Sequence, residues 1–213
     1  MVGPLRRAVH ALCGALRPGF AFWVAVLSLV RLSEGILIRI TEKGEVAGGP
    51  GFDDPLGLLA ACHERIEGHC VTLLRLREHV RMHGFDANAQ AAAGRVHHYF
   101  AEAGRWHHED EEQDLAPLFN RHAKDTLRAV FARLMAEHKA LEAAYAPLAQ
   151  ALVALDPKPH DLPVEPYVTL IRAHIVAENS QILPAARSLL GPAEIERLGQ
   201  AMAARRGVNR VRL

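Results

Sequence analysis

Cysteine chemistry, nucleotide chemistry and a membrane span all lack their usual marks in this 213-residue chain. Its three cysteines, Cys13, Cys62 and Cys70, form no CxxC pair, and an odd number makes a poor disulfide framework. A reducing cytoplasm is the simpler setting. There is no glycine-rich phosphate loop, no nucleophile elbow and no basic stripe with interleaved aromatics. The formal net charge is only +1, so no overall field draws a polyanion. Nucleotide hydrolysis, acyl transfer and nucleic-acid binding therefore have no support. No segment shows the period-two alternation of a strand. The apolar run GFAFWVAVLSLV at 19–30 ends at Arg31 and falls short of the roughly 18–20 residues that span a bilayer. With the basic residues before it, the run resembles the start of a secretory signal, but no small-x-small cleavage site follows. Residues 1–50 are expected to be an N-terminal extension. It is read either as a start placed too far upstream or as a weak membrane-interacting segment, not a stable span.

What the chain does have is apolar residues and histidine. Half the residues are apolar, enough to bury a real core. Ten of the thirteen histidines fall between His63 and His138, and histidine is the commonest metal ligand. The apolar positions recur with helical spacing. Asp53 or Asp54 can cap helix A, about 55–83, with Pro55 in its first turn and Leu59, Ile66, Leu73 and Val80 recurring every seven residues up to His83-Gly84. Asp86 caps helix B, which runs to about 121 and is weakened at Gly94 and Gly104. Helix C starts near Asp125. Its seam, Leu127, Phe131, Leu134, His138, Leu141, Tyr145, Leu148 and Leu152, alternates spacings of four and three, and Pro147 predicts a kink. After the connector DPKPHDLP, helix D runs from about 164 to 190, with Leu170, Ile171, His174, Glu178, Ile182, Leu183 and Leu189 as its expected buried set. Pro192 opens a short fifth helix with a basic end. The fold class predicted is all-α: an antiparallel up-down-up-down four-helix bundle over 51–191, with a C-terminal helix and basic tail over 192–213.

Each long helix carries His-x-x-x-Glu: His63 with Glu67, His107 with Glu111, His138 with Glu142, and His174 with Glu178. One such pair is ordinary helix surface. Four of them, with histidines on apolar seams, call for a cation or a hydrogen-bond network, because a core imidazole needs partners for both nitrogens. Helix B offers two frames, since His108 and Glu112 also stand four apart. A repeat chooses between them: H-x3-E-x5-P runs from His107 to Pro117 and again from His174 to Pro184. His107 and Glu111 are therefore the expected inward pair. His108 and Glu112 are expected to face a neighbouring helix or water, about 100° round the helix.

Residues 54–190 resemble a hemerythrin-like (HHE cation-binding) domain, a four-helix bundle holding a non-haem di-iron centre. The carrying segments are DPLGLLAACHERIE, HHEDEEQDLAPL, AEHKALE and AHIVAENSQILP. Carried over by position, the resemblance implies His63, His107, Glu111, His138, His174 and Glu178 as metal ligands and two iron ions as the cofactor. Zinc or manganese also suits these ligand types. It implies small diatomic ligands, oxygen or nitric oxide, or peroxide as partners. Two departures set the chain apart from the oxygen-carrying hemerythrins. Glu142 stands where their third helix has a second histidine, and Glu178 follows His174 where they have His-x4-Asp. The four-His, two-Glu set is closer to bacterial iron–sulfur repair relatives. The expected function is binding or sensing of oxygen, nitric oxide or iron. The alternatives are a di-iron enzyme reducing peroxide or nitric oxide, an iron donor in cluster repair, and a metal-free interaction module.

The remaining candidates have plainer readings. Glu67 and Glu142 are expected to face outward. His97 and His98 belong to the surface or rim, and His69, His79, His83, His122 and His160 are expected to be solvated. Cys62 and Cys70 read as small core residues and Trp106 as packing.

Overall fold

The computed structural model describes residues 49–154, 156 and 159–208, and every regular element among them is helical. The N-terminal run at 19–30, Cys13, part of the connector DPKPHDLP and the last five residues of the tail lie outside the described residues. No helix among the described residues is long and apolar enough to cross a membrane.

Helix α1 (Pro55–His83) begins where Asp54 accepts a hydrogen bond from the Gly57 amide at 3.0 Å, with Pro55 using a position that needs no N–H. It stops at Gly84, whose φ of 74° suits glycine and whose N–H closes on the Val80 carbonyl. The stretch expected as helix B is instead a rod of five pieces: α2 (Ala87–Tyr99), a π-helical turn (Phe100–Gly104), α3 (Arg105–Glu109), a second π-helical turn (Asp110–Leu115) and α4 (Ala116–His122). Helix α5 (Asp125–Ala154) follows. The stretch expected as helix D is also divided, into α6 (Glu165–Ala177), a π-helical turn (Glu178–Ile182) and α7 (Leu183–Leu189). Helix α8 (Pro192–Arg205) completes the chain.

The uninterrupted helices expected for B and D are thus corrected, and proline accounts for the wide turns before α4 and α7. Pro117 and Pro184 have no N–H to give, and their rings crowd the carbonyl four residues back, so the ordinary ladder cannot pass through them. In both rods the turn before the proline widens to i→i+5 bonding instead. Pro147 behaves differently. Helix α5 continues through it without a change of winding, and both Pro147 and Ala143 are exposed, so the carbonyl left without a partner meets water. Helix D also sits in a slightly different register from the one expected. Leu170 is 43% exposed, while Tyr167, Val168 and Ile171 face the core.

Two apolar clusters form the core. One gathers Leu73, Val80, Phe85, Val96, Leu148, Leu162 and Val168 with their neighbours. The other gathers Leu59, Leu115, Phe119, Phe131, Leu134, Ile182 and Leu198. Helix α8 packs on α1 and on the second π-turn. Gly199 permits this approach, since a Cβ there would lie 1.8 Å from the Phe52 carbonyl oxygen.

Candidate metal centre

Between the two apolar clusters lies a polar waist. His63 falls between Leu59 and Ile66 on α1, His138 between Leu134 and Leu141 on α5, and His174 between Ile171 and Ile182; all the flanking residues are buried. His63, His107, Glu111, His138, His174 and Glu178 are themselves buried and converge here, each on the face its helix turns to the core. Their inward atoms form two groups sharing both carboxylates. One holds His63, His107, Glu111 and Glu178, and the other Glu111, His138, His174 and Glu178, with the donor atoms of each within 4.8 Å of one another. The carboxylates face both ways. Glu111 turns Oε1 to His107 Nε2 at 3.3 Å and Oε2 to His138 Nε2 at 3.4 Å. Glu178 turns Oε2 to His63 Nε2 at 3.2 Å and Oε1 to His174 Nε2 at 3.3 Å.

The protein alone does not satisfy this cluster. Glu111 Oε2, Glu178 Oε1 and Oε2, His138 Nε2 and His174 Nε2 are buried without a hydrogen-bond partner, and such an atom costs about 1–3 kcal/mol. Charge is poorly matched as well. Burial, then the neighbouring Glu178, pushes the Glu111 carboxyl well above the ordinary carboxylate range. Burial also acts to raise Glu178, but the His174 and His63 rings beside it outweigh that and hold the carboxyl low. Burial pushes His107 well down, with His63 adding to the effect. Burial acts to lower His63 and His174 too, but the glutamates beside them raise both. Imidazole nitrogens and carboxylate oxygens without partners, packed between apolar layers, suit a cation of the iron, zinc or manganese type.

The family model of the hemerythrin HHE cation binding domain matches residues 54–186, more than half of the chain. The chain belongs to that family. It is also similar to an uncharacterized protein of Haemophilus influenzae, 28% identical over 79 residues, which are 37% of this chain and 46% of that relative. The matched stretch thus spans under half the length of the relative.

Around the donors of this hemerythrin domain lie contacts that spacing along the chain did not disclose. The Nδ1 of His138 donates to Glu112 Oε1 at 2.6 Å, that of His174 to Glu137 Oε2 at 3.2 Å, and that of His63 to Asn179 Oδ1 at 2.7 Å. Each partner comes from a neighbouring helix, so no i,i+4 rule reveals it. The only hint was position: Glu112 and Asn179 each follow an inward glutamate. His108 packs flat on His138, with ring centroids 3.9 Å apart and planes 8° from parallel. His108 also lines a pocket of about 550 Å³, together with Gly104, Glu112, Glu142 and Tyr145 among others. Burial, then His138, lowers the His108 ring to about 3, so it is neutral near pH 7.

Glu67 is half-exposed and paired with Arg172, whose Nε lies 2.9 Å away, and Glu142 is exposed. Cys62 and Cys70 are buried free thiols. The histidines expected to be solvated are corrected in part. His69 stacks on Tyr99 at 4.1 Å and His160 on Phe85 at 5.8 Å. His79 bonds Asp86 at 3.0 Å, while His122 is exposed as expected and bonds Glu194 at 2.9 Å at the surface. In each case the partner lies outside the histidine's own helix or link. Asp110 was also missed. It is fully buried, one residue before Glu111, and is held by Arg205 and by Arg206, whose Nη2 reaches Oδ2 at 2.6 Å. Arg206 also lies over the Trp106 ring at 5.6 Å, which makes Trp106 a packing partner of α8.

Proposed function

We propose that this hemerythrin domain is a cytoplasmic, bacterial-type, non-haem di-iron protein that binds or senses oxygen, nitric oxide or iron. His63, His107, Glu111, His138, His174 and Glu178 are its metal ligands on this reading. One observation carries it: four imidazole nitrogens and four carboxylate oxygens face one another in a buried waist, and five of those atoms have no partner. Two ions suit the arrangement because each glutamate presents one oxygen to each half. The short links from α1 to α2 and from α4 to α5 favour antiparallel, up-down-up-down neighbours. The buried free thiols Cys62 and Cys70 accord with a reducing compartment.

Bound iron would supply redox chemistry and open coordination positions for a small ligand. The chain itself holds the imidazoles of His63, His138 and His174 in place through their Nδ1 hydrogen bonds and keeps bulk water out with the apolar layers on either side. Metal analysis after reconstitution with ferrous iron tests the proposal. About two metals per chain are expected, and fewer than about one would overturn it. His107→Ala should lower the content far more than His108→Ala, and equal losses would overturn the choice of inward pair. Reconstitution with zinc or manganese in competition identifies the preferred ion.

The pocket beside His108 favours a second reading, an enzyme reducing peroxide or nitric oxide. It gives a substrate a place to dock, and the Tyr145 hydroxyl at its wall is buried without a partner. Stopped-flow turnover of the iron-loaded protein with peroxide or nitric oxide separates the readings. Stoichiometric binding without turnover leaves the first in place.

A further inference from the structure

The two halves of the waist differ in what stands behind their imidazoles. In one half both Nδ1 atoms donate to carboxylates: His138 to Glu112 at 2.6 Å, and His174 to Glu137 at 3.2 Å. In the other half His63 donates to the neutral Asn179 amide oxygen at 2.7 Å, and His107 Nδ1 is buried without a partner. The contrast follows the internal repeat of the chain. Glu112 follows Glu111 as Asn179 follows Glu178, and Glu137 precedes His138 as Cys62 precedes His63. An anionic acceptor therefore backs each imidazole of one half. At the matching places in the other half the chain has an amide and a thiol.

An Nδ1–H bonded to a carboxylate makes the opposite ring nitrogen a stronger donor and fixes the ring for its metal. Charge-assisted bonds of this kind are about twice as strong as neutral ones. Resting on the di-metal reading above, we propose that the two metal positions are unequal. The position between His138 and His174 fills first and holds its ion more tightly, with Glu112 and Glu137 as the positioning residues responsible. Solvent moderates the effect, since the two side chains are 47% and 35% exposed. Glu112 has the larger share, because its bond is shorter and Glu137 also engages Arg133 at 2.5 Å.

The test is an anaerobic titration of the metal-free full-length protein with cobalt(II), followed by calorimetry and by the proton NMR signals of the imidazole N–H groups shifted by the ion. The wild type should bind in two steps separated by about tenfold or more, the low end of what such outer partners contribute. Glu112→Gln should weaken the first step about tenfold and Glu137→Gln less, with the second step unchanged. Asn179→Asp should tighten the second step and narrow the gap. At one equivalent of cobalt, the shifted N–H signals should move in Glu112→Gln and Glu137→Gln and stay in place in Asn179→Asp. A purely structural role would not produce that pattern. Two equal steps, or signals at one equivalent that move only in Asn179→Asp, would overturn the inequality while leaving the di-metal site standing. No binding at all would overturn both.

Discussion

Every long rod carries a histidine with a glutamate four residues on, yet the rods use that pair in two ways. On α1 and α5 the histidine is buried while the glutamate lies at the rim. Glu67 meets Arg172, and Glu142 is exposed. On the two rods interrupted by π-turns, His107 with Glu111 and His174 with Glu178 are buried together. In an even α-helix the residue four positions on has rotated about 40° past its partner. A histidine centred on the core face therefore lets its glutamate drift outward. The wide turns begin at Asp110 and Glu178, so each inward carboxylate stands at the entry of one, and an ordinary four-residue bond still joins Glu178 N–H to the His174 carbonyl. Four-residue spacing is thus permissive, and where the pair sits on the core face decides whether both members reach the centre.

The sharpest way to break this contrast is to remove the carboxylates one at a time. Glu111→Ala and Glu178→Ala should each abolish iron binding, whereas Glu67→Ala and Glu142→Ala should leave metal content near wild type by elemental analysis. Similar losses from all four would mean that position on the core face does not separate them. Next in size comes the layer next to the waist. Phe131 is buried on α5 and packs edge-on against Phe119, so Phe131→Ala should cost about 3–5 kcal/mol in denaturant unfolding.

The clamp on the widened turn comes third. Asp110→Ala leaves Arg205 and Arg206 without their buried partner and should cost about 3 kcal/mol. It should also release α8, seen as faster limited proteolysis near its C-terminal end. The smallest effect is expected at the cap of α2. Asp86 accepts from the Ala89 amide at 2.8 Å, and Asp86→Ala should cost about 1 kcal/mol. Hydrogen bonding from that amide, then from His79, lowers the Asp86 carboxyl. Its contribution is therefore present above the unfolded-state value of about 4 and is lost as pH falls through the lower folded value. A mutant–wild-type stability difference that stayed constant between neutral and acid pH would contradict this assignment.

Much of the helical framework and of the converging donor set was legible along the chain. The seam of α5 with His138 at a core position is a local pattern, and so is the repeat that separates His107 from His108. Two of the three π-turns left only an indirect trace, in Pro117 and Pro184, because proline excludes the ordinary ladder without stating what replaces it. The partners Glu112, Glu137 and Asn179 left less, since each acts on a histidine of another helix. Asp110 looked like one acid in a run of four. Its burial depends on two arginines 95 and 96 residues further on.

By itself, then, the sequence determined the helices, their apolar faces and the six side chains that turn toward the core. Periodicity, capping and glycine or proline stops act over a few residues and can be read in one dimension. Only the tertiary structure decided where the rods widen, which imidazole each outer carboxylate supports, and how α8 secures Asp110. Those outcomes depend on how neighbouring helices register against one another, and no interval along the chain encodes that register.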